Sequence, residues 1–118
     1  MALLCLLITG CATSLTNLTT SQQPRNPKGL YPVEVMWQSD AADIVKDTIK
    51  GYVVVGFDAY PMQRSPMLTN RWEALLPVPT DKNLVNFRYK FDYQYLTIPV
   101  RRPGSKMSES FQLQILDR

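Results

Sequence analysis

Two cysteines and a scatter of carboxylates are the residues of this 118-residue chain best suited to chemistry, and their positions restrict what that chemistry can be. Cys5 and Cys11 both lie in the opening segment, so everything after residue 11 lacks a thiol and can build neither an internal disulfide nor a thiolate zinc site. There is no histidine, which removes the usual proton shuttle and the commonest metal ligand. A Ser-His-Asp triad therefore cannot be assembled, and no Ser-Lys pair stands out. Asp40, Asp43 and Asp47 could pair for acid-base work, yet their spacing is equally that of a solvated loop. No Gly-rich phosphate loop is present, since Gly51 and Gly56 read as glycines associated with strands. The expectation is a protein that is not an enzyme and uses no metal or cofactor.

Cys11 closes an apolar run, LLCLLITGC at residues 3–11. Residues 2–8 are too few to cross a bilayer, which takes about 20 helical residues, but suit the core of a signal peptide. Residues 7–11 (LITGC) resemble the lipobox of bacterial lipoproteins: an aliphatic residue, two small residues, then cysteine. The resemblance implies cleavage before Cys11 and transfer of diacylglycerol to its thiol, with Cys5 discarded. Acyl chains partition into lipid at about 0.8 kcal/mol per buried methylene, so several chains make a durable membrane anchor. Ala12 stands where an aspartate would imply inner-membrane retention in enterobacteria, so the resemblance points to the outer membrane of the cell envelope. No Lys or Arg precedes Arg25, a departure from the basic start of such signals, so either the start lies upstream or the signal is atypical. The structural alternative for the run is a short buried strand at the N-terminus. The implied organisation is a signal peptide over residues 1–10, a lipidated tether over 11–14 and one folded domain over 15–118.

Hydrophobic residues make up 45% and charged residues 19% of the chain, which is the composition of a globular domain rather than of disorder. Thirteen basic residues are scattered among ten acidic ones, giving a net charge of +3. So even a distribution does not make the one-sided basic footprint that nucleic acid requires.

Alternation of apolar and polar residues dominates the rest. In residues 30–37 (LYPVEVMW), Val33, Val35 and Trp37 share a face; in residues 71–76 (RWEALL), Trp72, Ala74 and Leu76 do. Residues 52–57 (YVVVGF) are apolar on both sides, as in a central strand. Residues 85–95 (VNFRYKFDYQY) put Val85, Phe87, Tyr89, Phe91, Tyr93 and Tyr95 on one face and Asn86, Arg88, Lys90, Asp92 and Gln94 on the other. Phe111, Leu113 and Ile115 repeat the pattern against Gln112 and Gln114. Ile44, Val45, Thr48 and Ile49 could share a helical face after an Asp40 cap, leaving room for one short helix near residues 40–49. About seven short strands in some 100 residues predict an all-β fold, an immunoglobulin-like antiparallel β-sandwich.

Residues 56–62 (GFDAYPM), 70–79 (NRWEALLPVP) and 87–91 (FRYKF) resemble the E-set immunoglobulin-like modules found beside glycan-active enzymes. As a whole the chain is similar to small bacterial lipoproteins with an immunoglobulin-like domain. The sugar-stacking tryptophans of glycogen-binding members are not evident between Phe57 and Tyr60.

Trp37 and Trp72 fall in register with inward neighbours and read as core aromatics. Tyr52 and Tyr60 are the candidates for an exposed aromatic platform. Arg101, Arg102 and Lys106 surround Pro103-Gly104, which reads as a type II turn, and would present basic charge to an acidic partner surface or to lipid headgroups. The expected partners are the membrane, through the lipid anchor, and an envelope protein, with a glycan as the alternative. The Asn17-Leu18-Thr19 sequon has no use under a bacterial signal.

If the alternation at residues 85–95 is in register, Phe91→Ala should cost about 3–5 kcal/mol in chemical denaturation, the usual loss for a buried phenyl ring. Arg88→Ala on the opposite face should stay within about 0.5 kcal/mol. Equal losses would place the strand one residue out of register.

Overall fold

The structure is a computed structural model, and it describes residues 13–39, 43–68 and 70–117. Among the described residues two packed sheets hold ten strands: β1 (Thr13–Asn17), β2 (Gln22–Pro24), β3 (Leu30–Ser39), β4 (Lys50–Val55), β5 (Asp58–Pro61), β6 (Gln63–Arg64), β7 (Arg71–Pro77), β8 (Leu84–Tyr95), β9 (Arg102–Met107) and β10 (Phe111–Leu116). One sheet has the order β1-β3-β7-β6, and the other has β2-β10-β8-β4-β5 with β9 also paired to β8. The all-β sandwich is as expected. The number of strands is larger, and one pairing, β2 with β10, is parallel. The expected helix is a 3₁₀ turn at Lys46–Thr48; Asp40, its proposed cap, lies outside the described residues. Cys5 and Cys11 also lie outside them. Thr13 and Ser14, assigned to the tether, belong to β1 and pair with Ser39 and Gln38.

The inward positions of the strands make the core. Tyr31, Val33, Val35 and Trp37 of β3 meet Phe87, Tyr89, Phe91 and Tyr93 of β8, and all eight are buried. Val53 of β4, Trp72 and Leu76 of β7, and Leu113 and Ile115 of β10 complete the layer. Trp37 stacks on Phe91 at 4.8 Å between ring centroids and on Tyr93 at 5.4 Å, while Trp72 meets Phe91 edge-on at 5.4 Å. Such offset and edge-on geometries let the ring quadrupoles attract one another. Trp37 and Trp72 are thus core residues.

Strand β4 is interior to its sheet, but it ends at Val55. Gly56 and Phe57 form a two-residue turn with Val55 paired to Asp58. The positive φ of Gly56 (61°) at the first turn position is that of a type II′ hairpin, which matches the twist of the flanking strands. Strands β9 and β10 lie along the same edge of β8, since β4 pairs with the other edge at residues 88–92. Between the pairs Lys90↔Met107 and Phe87↔Phe111, β8 advances three residues and its partner four. The extra residue is a β-bulge. There the Ser108 hydroxyl accepts the Tyr89 amide proton at 2.8 Å, and the Ser108 amide donates to the Tyr89 carbonyl at 2.8 Å.

Tyr89 carries a hydrogen-bonded hydroxyl into the core. The Tyr89 hydroxyl lies 2.7 Å from Thr19 Oγ1, 2.7 Å from Asn17 Oδ1 and 2.9 Å from the Glu34 carbonyl, tying β8 to the opposite sheet and to the β1–β2 connection. Burial pushes its phenol far above the ordinary tyrosine range. The folded state therefore keeps a proton that the unfolded chain loses near pH ~10. The stability this group contributes is present below that pH and declines above it. Tyr89→Phe should cost about 1–3 kcal/mol in urea denaturation at neutral pH, the range for leaving buried partners unpaired. It should also flatten the fall in stability on the alkaline side; an unchanged alkaline slope would show that Tyr89 titrates normally.

Candidate functional site

Among the described residues no group of three His, Cys, Asp or Glu side chains is placed to hold a metal ion. Asp43 and Asp47 are exposed around the 3₁₀ turn.

Tyr52 and Tyr60, read as one platform, are on opposite faces of their sheet. Tyr60 pairs directly with inward-facing Val53 and packs against the core from edge strand β5. Tyr52 points outward, in a row with Pro61, Lys90 and Met107. The hairpin at Gly56-Phe57 causes this. Pairing Val55 with Asp58 matches even-numbered residues of one strand with odd-numbered residues of the other, so two even-numbered tyrosines cannot share a face.

The basic trio is also placed differently from expectation. Pro103 and Gly104 are inside β9, opposite Gln94 and Tyr93, and form no tight turn. Pro103 is tolerated because β9 is an edge strand and needs no outward N–H partner. Gly104 is required by close packing: a Cβ there would lie 2.5 Å from Tyr93 Cε1 and 2.7 Å from Tyr95 Cε2. Arg102 and Lys106 flank it on the same strand, exposed, and Arg101 precedes it in the β8–β9 loop. Proline and long cations on an edge strand discourage pairing with another chain, which gives these residues a structural use.

Two open grooves lie on the outer faces. One, about 520 Å³, crosses the β3-β7-β6 sheet between Pro32, Glu34, Gln63, Glu73 and Leu75. Its two carboxylates sit directly opposite each other, with Arg71 at 3.9 Å from Glu34. The other, about 540 Å³, lies over Lys50, Lys90, Asp92, Gln94 and Ser105. Asp92 there accepts from Ser105 Oγ at 3.0 Å and lies 3.8 Å from the Lys90 ammonium.

The feature that sequence reasoning missed is at one end of the sandwich. Trp37, near the end of β3, stacks on rings near the end of β8, so the β8–β9 loop (96–101) leaves from that end. Strand β7 starts there too, with Arg71 opposite Met36, so the β6–β7 loop (65–70) shares it, and the Trp37 amide donates to the Asn70 carbonyl at 2.8 Å. Thr13, opposite Ser39, brings the start of β1 to the same end. The loop over 43–48 braces this pole: the Leu96 amide donates to the Asp43 carbonyl, and Arg64 donates to the Lys46 carbonyl while covering the Trp72 ring at 4.8 Å. Its loop tips are apolar. Ile98 is 97% and Met67 86% exposed, with Leu68, Leu96 and Val100 exposed beside them. The available signal was the run LTIPV at residues 96–100, where Leu96, Ile98 and Val100 alternate as in a strand around Pro99, which disfavours one.

No family model matches the chain, and no curated protein is significantly similar to it.

Gly104→Ala should cost about 1–3 kcal/mol in chemical denaturation, because overpacking forces the Tyr93 and Tyr95 rings to move. Lys106→Ala in the same strand should stay within about 0.5 kcal/mol. A neutral Gly104→Ala would mean that β9 does not lie against those rings.

Proposed function

We propose that this protein is a non-catalytic, membrane-anchored interaction module of the bacterial cell envelope: an immunoglobulin-like domain held by a lipidated Cys11, at the outer rather than the inner membrane. The reading is carried by the adjacency of the lipobox-like residues 7–11 to a strand that opens at Thr13, two residues after Cys11. So short a connection holds a domain against whatever surface the cysteine joins, at about 3.3–3.6 Å per extended residue.

The strand order supports the immunoglobulin-like part. An antiparallel sheet β1-β3-β7-β6 facing β10-β8-β4 follows the layout of such domains, in which the second and sixth main strands sit face to face at the centre. Antibody domains join those two strands by a disulfide, and here Trp37 and Phe91 stack between β3 and β8. The acidic and basic outer grooves are surfaces on which a protein partner could be held. The glycan-binding alternative has less support, because Tyr52 and Tyr60 do not form one platform.

Expression of the full chain in a Gram-negative host, followed by fractionation and mass spectrometry, tests the anchor. The wild-type chain should float with membranes and begin at Cys11 with the added mass of acyl chains. Cys11→Ser should move the protein to the soluble fraction with its circular dichroism unchanged. A Cys11→Ser chain that still floats would defeat the lipid-anchored reading and favour an apolar N-terminal segment that binds by itself.

A further inference from the structure

We infer that the pole formed by the β8–β9 and β6–β7 loops is a second membrane contact, which dips Leu96, Ile98, Val100 and Met67 into the lipid interface and stands the sandwich on end. The inference rests on the membrane-anchored reading and adds to it an orientation and a lipid-binding surface.

Four observations converge on this pole. The loops place four strongly exposed apolar side chains at their tips, where a solvated turn would carry polar residues. The chain enters the domain at the same end, so the apolar residues 2–8 and Cys11 connect to it there, through Thr13 at the start of β1. A bilayer holding Cys11 therefore faces this end and not the opposite one. Charge agrees: Arg101 and Arg102 follow Val100 directly, and no carboxylate lies between Asp92 and Glu109. Apolar tips backed by cations suit an anionic lipid interface, where the tips reach the acyl boundary and the guanidinium groups stay among the headgroups. Finally, the pole is braced rather than loose, through the Arg64 to Lys46, Leu96 to Asp43 and Trp37 to Asn70 hydrogen bonds. A rigid pole loses little freedom on docking. Asp43 and Asp47 share the pole and lie beside the 3₁₀ turn, so they would border the contact.

Phe57 supplies an internal control. It is 108% exposed, as apolar as Ile98, and its turn follows Val54, which lies opposite Arg88, seven residues back along β8 from Tyr95. At about 3.3 Å per strand residue it is more than 20 Å from the pole.

The test uses the full lipidated chain in vesicles of phosphatidylcholine and phosphatidylglycerol, with and without brominated acyl chains. The wild-type chain, with Trp37 and Trp72, is measured in parallel and its emission is subtracted. Emission added by Ile98→Trp should be quenched at least twofold by brominated lipid, and emission added by Phe57→Trp should not change. Equal quenching of the two, or none for Ile98→Trp in protein that floats, would overturn the end-on contact while leaving the anchor intact. A blue-shifted Ile98→Trp emission without vesicles would also overturn it, because protein would then cover the pole. If the wild-type chain fails to float, the anchor fails, and the same Ile98→Trp titration with excess vesicles still decides whether the loop enters lipid.

Discussion

The contact on which this fold depends is the stack of Trp37 on Phe91. It joins the central strand of one sheet to the central strand of the other, at a place no covalent bond can reinforce because no cysteine follows Cys11. Trp72 closes on the same ring from the side, and Tyr93 extends the stack. Gly51, directly opposite Phe91 in β4, leaves room for the ring, since a Cβ there would lie 2.7 Å from Phe91 Cε1. A disulfide in a domain of this size typically contributes about 2–4 kcal/mol. Burying one large aromatic contributes about as much, and the ring geometry adds about 0.5–1.5 kcal/mol per pair. Close packing thus replaces the covalent link, and it explains why glycines flank the aromatic strand on both sides.

What could be read from the residues follows a simple physical division. The four runs recognised by alternation and the one apolar on both sides became β3, β7, β8 and β10 and β4, and each has a neighbour on both sides. The five strands without a signal, β1, β2, β5, β6 and β9, are edges. An interior strand must sort its side chains between core and solvent, and that sorting is written in its sequence. An edge strand needs only backbone partners, so QQP, QR and RPGSKM can serve. The candidate site was legible only in part for the same reason. The identities of Tyr52, Tyr60 and the basic trio were plain, but their faces depended on the hairpin at Gly56 and on β9, both at the sheet's margins. Pro-Gly is a turn signal in isolation; Tyr93 and Tyr95 override it by packing on Gly104. The apolar pole required topology, since its two loops are far apart in sequence and share one end only because the sheets pack with Trp37 of β3 on Phe91 and Tyr93 of β8.

The charges are divided between the faces. Glu34 and Glu73 lie opposite one another on the outside of one sheet, while Lys50, Arg88 and Lys90 mark the outside of the other. Like charges in direct opposition weaken a sheet slightly, and the partly exposed Arg71 at 3.9 Å offsets little of that. A sandwich standing on its apolar pole would keep both faces clear of the lipid, one acidic and one basic, so that the same anchored domain could be approached from two sides by partners of opposite charge.

The parallel pairing of β2 with β10 has a consequence in time. Gln22 lies against Gln114, so one of the first described strands is finished only by the last. Contacts of such sequence separation are closed late, and sheets that depend on them fold slowly. A ribosome that has released residue 100 has delivered every strand of the first sheet, yet the second still lacks the strand that closes both β8 and β2. The nascent chain therefore has no complete domain to fold into until β10 has been made. If the chain is exported as proposed, a fold that cannot finish early is a kinetic advantage.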